Sequence, residues 1–101
     1  MARSRAVAFA DEDYDAQFQR TLLAAYAGFA DLGEAFATAR DIRRPDAERW
    51  YNAWFGRAEA VRQIAETATA AGDRASGRSA FLRASEYYRQ SYFFLRSNLD
   101  D

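Results

Sequence analysis

Between Pro45 and Gly72 the chain carries one uninterrupted apolar stripe: Trp50, Trp54, Ala58, Val61, Ile64, Ala65 and Ala68. Steps of three and four residues put these side chains on one side of an α-helix, whereas a strand would scatter them over both faces. The stripe predicts a helix of about 25 residues, with Asp46 as N-cap, Glu48 in its first turn and Gly72 at its end. Pro45 disfavours the α region for Arg44 and so separates this helix from what precedes it. A helix of this length with one apolar side needs another helix to cover it.

That partner follows at once. Gly72-Asp73-Arg74-Ala75-Ser76-Gly77 is a short connector, which makes the helices on either side antiparallel neighbours. The fourth helix is expected from about Arg78 to Ser97. Ala80, Ala84, Tyr87, Ser91 and Phe94 lie along one face, and Phe81, Tyr88, Tyr92 and Leu95 along the next. Together they exceed the stripe of an ordinary surface helix, so two packing partners are expected.

Upstream, Asp11-Glu12-Asp13 precedes a periodic run of Phe18, Leu22, Ala25, Tyr26 and Phe29, where acidic residues suit a helix N-terminus. This first helix is expected over residues 12–31, with Gly33 as its left-handed stop. Glu34 to Asp41 forms a shorter helix with Ala35, Phe36 and Ala39 on one side. Ala fills 23 of the 101 positions while Val and Ile together fill four, so helix is favoured throughout and strand is not. The fold class is all-α: a small bundle of about four helices with a long antiparallel hairpin at its C-terminal end. Residues 1–10 read as an N-terminal arm and 11–101 as the helical domain.

The chain has no His and no Cys. Histidine-based triads, thiol nucleophiles, disulfides and the common zinc sites are thereby excluded. No catalytic residue, metal ligand set or cofactor motif is assigned. All 14 basic residues are Arg and the net charge is −1, which gives no overall attraction to nucleic acid. Arg40, Arg43 and Arg44 cluster ahead of Pro45, but Asp41 and Asp46 flank them, and the group reads as charge complementing a helix C-terminus. No apolar run is long enough to span a membrane, and the N-terminal apolar run is too short for a secretory signal, so a cytoplasmic protein is expected.

Aromatic residues make up 16% of the chain and crowd into Tyr87-Tyr88-x-x-x-Tyr92-Phe93-Phe94. Such a run points in several directions around a helix, so part of it packs inside and at least one face is expected to be an interface or a pocket wall.

The order Trp50-x-x-x-Trp54, Ala58, Gly72, Ser79-Ala80-x-x-x-Arg83-Ala84-Ser85-x-Tyr87-Tyr88-x-x-x-Tyr92-Phe93-Phe94 resembles a known N-terminal region. It is similar to the helical segment before the catalytic domain of α/β-hydrolases related to 2,6-dihydroxypseudooxynicotine hydrolase, the fermentation-respiration switch protein and the fungal polyketide-shortening hydrolases. Asp31-Leu32-Gly33-Glu34-Ala35-Phe36 is similar to the short helix before the tryptophan pair. The resemblance covers roughly residues 28–99.

It implies a helical cap that packs on an α/β-hydrolase catalytic domain, helps to wall a cleft for aromatic or acyl substrates, and supports a homodimer. The family's Gly-x-Ser-x-Gly elbow, acid and histidine are not in this sequence, so the catalytic domain is expected elsewhere, on the same or a separate chain. The resemblance makes Trp54, Tyr88, Tyr92 and Phe93 candidates for substrate binding or for the interface. Ser79 and Ala80 would be small where the hairpin helices approach closely, and Arg83 would pair with Glu59 or Glu66. A free-standing module that binds a protein or a small hydrophobic ligand is the alternative.

Overall fold

A computed structural model of the chain describes residues 6–99, with side chains to Leu95. Residues 1–5 of the arm and the final Asp100-Asp101 lie outside the described residues. Four α-helices follow one another: α1 (Glu12–Ala24), α2 (Leu32–Ile42), α3 (Ala47–Ala70) and α4 (Arg74–Leu99), with a 3₁₀ turn at Ala25–Ala27 after α1. No strand occurs among the described residues. None of these helices is long and apolar enough to cross a membrane.

Helices α3 and α4 form the expected antiparallel hairpin, the most extensively packed pair of helices in a molecule 53 Å in its longest dimension. Asp46 caps α3 by accepting from the Arg49 backbone N–H at 2.7 Å. At the other end Gly72 adopts φ 87°, with Gly72 N–H bonded to Thr69 C=O and Asp73 N–H to Ala68 C=O. This 5→2 and 6→1 pair is a Schellman closure, which needs a left-handed residue that glycine supplies without steric penalty.

The connector is shorter than expected, because α4 starts at Arg74 and Gly77 lies inside it. Asp73 opens the helix: its backbone C=O accepts from Gly77 N–H and its carboxylate from Ser76 N–H. Gly77 is instead a contact residue. A Cβ there would overlap the Thr69 hydroxyl and stand 3.3 Å from Ala65 C=O, so the two helices touch here. Ala80 and Ala84 continue that close seam, while Ser79 is exposed and accepts from Arg83.

The first helix is shorter than expected. It ends at Ala24, and Gly28 (φ 84°), not Gly33, takes the left-handed position, with Gly28 N–H on Ala25 C=O and Phe29 N–H on Ala24 C=O. Gly33 lies in the first turn of α2, behind an Asp31 N-cap that accepts from Glu34 N–H at 2.9 Å. Tyr26 is consequently 93% exposed, and Phe29 is exposed too, so Phe18 alone of the expected α1 face is fully buried.

The core gathers Phe9, Phe18, Trp50, Trp54, Ala58, Val61, Ala65, Ala80, Ala84 and Tyr87. Ile64 of the expected stripe is 52% exposed. Beyond the reach of α1 and α2 only α4 covers α3, and a single partner buries a narrower strip than the sequence stripe is wide. One residue adopts a costly backbone: Arg43, between α2 and α3, has φ 59° and ψ −79°. Such a conformation costs a non-glycine residue roughly 1–3 kcal/mol.

The described part of the arm is tied down by one carboxylate. Asp15 accepts from the backbone N–H of Val7 (3.0 Å), Ala8 (2.8 Å) and Phe9 (2.9 Å) and from the Gln19 amide (3.0 Å). This holds the Phe9 ring edge-on to Phe18 at 5.8 Å and 5.5 Å from Trp50. Burial, the largest single influence on Asp15, pushes its carboxyl up; the four donors together reverse that and hold it below the usual carboxylate range.

A depressed pKa in the folded state contributes stability above the unfolded value, near 3.9 for Asp, and that contribution disappears as pH falls through the folded value. Amide exchange at Val7, Ala8 and Phe9 should therefore accelerate, beyond its intrinsic pH trend, as acid protonates Asp15. In Asp15→Asn it should be fast already at neutral pH. Protection that ignores both changes would mean that the arm is held by Phe9 alone.

Candidate functional site

Trp50 and Trp54 sit one turn apart on the inner side of α3, and both are fully buried. The Trp50 indole N–H donates to Gln90 C=O at 2.8 Å, joining α3 to α4. Trp54 packs 5.7 Å from Tyr87 and 6.3 Å from Phe18, and its indole N–H has no partner. Trp54 thus lies in the interior of the described chain and not on its surface.

The next residue around the helix behaves differently. Tyr51 and Phe55, each one position after a tryptophan, stand on the outer side of the hairpin with Tyr88 and Tyr92 of α4. Tyr51 stacks on Phe55 at 5.3 Å, Tyr92 lies 5.6 Å from Tyr51 and 6.3 Å from Phe55, and Tyr88 meets Phe55 edge-on at 5.5 Å. None of the four stacks with a ring of α1 or α2, which pack on the other side of the hairpin.

The Tyr88 hydroxyl donates to the Glu59 carboxylate. Burial and that anionic acceptor both push the Tyr88 phenol above its ordinary value, so it is a neutral donor at any physiological pH. Tyr92 remains 47% exposed. Phe93 leaves this face, packing edge-on against Phe94 at 5.1 Å, and Phe94 in turn contacts Tyr14 and Trp50. Of the four candidate residues, the structure brings Tyr88 and Tyr92 together around Phe55 and places Trp54 and Phe93 apart from them.

Tyr51 and Phe55 were not singled out from the sequence. Their signal is a second i, i+4 aromatic pair, offset by one residue from Trp50 and Trp54.

The α2 side is held by a polar lock. Tyr87 OH accepts from Asp31 N–H at 2.9 Å and donates to Glu34 Oε1 at 2.7 Å, while Arg83 holds the same carboxylate through Nε (2.9 Å) and Nη2 (3.3 Å). Arg83 therefore pairs with Glu34 of α2, not with Glu59 or Glu66, which flank Arg62 at 3.9 and 3.8 Å. Position 83 is one turn before Tyr87, and both point to α2. Tyr87 thus completes the N-terminus of α2: its hydroxyl relays between a free backbone donor and the acid three residues further on. Burial first, and the Glu34 carboxylate with it, drive the Tyr87 phenol far above its usual range.

Among the described residues no group of three or more acidic side chains could hold a metal ion. The fold is a small all-α bundle whose C-terminal hairpin presents an aromatic surface. No family model matches the chain, and no solved structure matches it.

Curated proteins do match. The hydrolase acrC of Aspergillus aculeatus is 41% identical over 85 residues, 84% of this chain and 20% of the relative. The 20-hydroxy-prefusarin hydrolase of Gibberella moniliformis is 38% identical over 93 residues, 92% of this chain and 22% of the relative. The α/β hydrolase xenA of Xenoacremonium sinensis is 42% identical over 89 residues, 87% of this chain and 20% of the relative. The chain spans about one fifth of the length of these curated relatives. It is related to a part of these larger fungal hydrolases, consistent with the N-terminal region that its tryptophan pair and tyrosine run resemble.

Proposed function

We propose that the chain is the cap segment of a serine α/β hydrolase that acts on aromatic or polyketide-like acyl substrates. In this reading the catalytic part, on the same or a separate polypeptide, seats against the hairpin face of Tyr51, Phe55, Tyr88 and Tyr92. The segment then walls the substrate cleft and supports dimerisation. The nucleophile, acid and histidine belong to the catalytic part, and this chain supplies enclosure and orientation.

The observation that carries the reading is the four-ring face on the side of the hairpin that α1 and α2 leave uncovered. Tyrosine suits such a place, with an apolar ring to bury and a hydroxyl to satisfy. The relatives support the hydrolase assignment, and one of them is named for hydrolysing 20-hydroxy-prefusarin.

The test is the Tyr88→Ser/Tyr92→Ser double variant in the native hydrolase assembly. Neither ring is part of the bundle's fully buried core, so the helical segment should keep its helical content and still melt cooperatively, at a lower temperature. The catalytic part should lose roughly tenfold or more in affinity for it, the loss expected of central aromatic anchors, or KM should rise where the two are one polypeptide. Unchanged affinity and unchanged KM would overturn this face as the docking surface and favour a free-standing binding module.

A further inference from the structure

A groove of about 450 Å³ runs beside the C-terminal end of α2, lined by Val7, Ala8, Phe36, Ala39, Arg40 and Arg43. We propose that it binds a small amphipathic monocarboxylate, an aromatic or aliphatic body ending in one carboxylate. The size lies within the span of roughly 300–1,000 Å³ usual for small-molecule sites. Its lining divides by chemistry: Val7, Ala8, Phe36 and Ala39 offer apolar surface, and two guanidiniums offer the paired donors that suit a carboxylate.

Two further observations favour an anion. No acidic side chain lines this groove, whereas the neighbouring groove on the other side of Arg43 contains Asp41 beside Arg44 and Arg49. Neither Arg40 nor Arg43 takes part in an ion pair among the described residues, although five other such pairs form. Both arginines line this one groove, and a bound carboxylate would supply the counter-charge that no acidic side chain of its lining provides.

The backbone singles out Arg43 in particular. Its φ of 59° is the one positive value at a non-glycine residue among those described, and glycine would adopt that conformation with far less strain. The side chain there forms no hydrogen bond within the described chain; the residue bonds through its backbone N–H, to Ala39 C=O at 3.2 Å. The strain at this turn therefore gains the fold no side-chain bond, and the exposed Arg43 side chain is left available to a ligand. The opposite wall is pre-set, because Asp15 fixes the Val7 and Ala8 backbone.

The experiment follows backbone amide NMR shifts of the 101-residue chain during titration with phenylacetate, with neutral phenylacetamide and with inorganic phosphate. Phenylacetate should give saturable shifts at Val7, Ala8, Ala39, Arg40 and Arg43. The amide, which lacks the charge, and phosphate, which lacks the apolar body, should each bind roughly tenfold more weakly. Arg43→Gly should melt at the same or a higher temperature yet lose phenylacetate affinity roughly tenfold, and Arg40→Gln should lose a similar factor. Absent or unsaturable shifts, equal binding of the amide or of phosphate, or intact affinity in both variants would overturn the proposal.

Discussion

Trp50→Ala is expected to lower the free energy of unfolding by about 3–5 kcal/mol, a large share of what a domain of this size has in total. Trp50 is fully buried and is the aromatic hub of the bundle, with Phe9, Tyr14, Trp54 and Phe94 all between 5.2 and 5.7 Å from its ring. Those four rings come from the arm, α1, α3 and α4, so one deletion loosens four segments at once. The two tryptophans separate when each is replaced by Phe, because the swaps remove similar volume but different hydrogen bonds. Trp50→Phe discards the bond to Gln90 C=O, whereas Trp54→Phe discards a buried N–H that has no partner. Trp50→Phe should be the costlier by about 1 kcal/mol or more, read as a lower urea midpoint at unchanged m-value. Equal midpoints would contradict the hydrogen-bond assignment.

Gly77→Val is the second large effect, about 2–3 kcal/mol destabilising, within the range for overpacked contacts. Any Cβ at this position meets the Thr69 hydroxyl and presses on Ala65 C=O across the hairpin. Valine adds two methyls to that clash and stiffens the side chain against adjustment. Gly77→Ala is more revealing. Helix propensity alone favours alanine by about 1 kcal/mol, so any shortfall measures the contact with Thr69. In a Thr69→Ala background the Gly77→Ala change should recover most of that gain. Stabilisation of the same size in both backgrounds would mean that the helices do not touch there.

The hairpin, its antiparallel sense and the Asp46 and Gly72 boundaries were legible in the sequence, because a long 3.6-residue period, an N-cap and a left-handed glycine are local signals. The errors fall where a residue type has two roles. Gly28 and Gly33 both follow apolar periodic runs, and the Asp31-x-x-Glu34 spacing marks Gly33 as lying inside a capped helix start. Gly77 read as turn material although it serves a helix–helix contact.

The candidate site was legible only in part. Tyr88 and Tyr92 were identified, but whether Trp54, one residue away from Phe55, points in or out depends on the rotation of α3, which periodicity alone leaves uncertain by about a residue. The same rotation question sent Arg83 to Glu59 or Glu66. Only the position of α2 shows that position 83 faces Glu34.

The cap reading is tested most directly by the intact mass and stoichiometry of the native assembly that contains these residues. The expected result is a polypeptide or tight complex well above 11.5 kDa, with a further α/β component of about 250–300 residues bearing a Gly-x-Ser-x-Gly elbow. A monomer or homodimer built from these 101 residues alone would contradict it and leave a helical binding module.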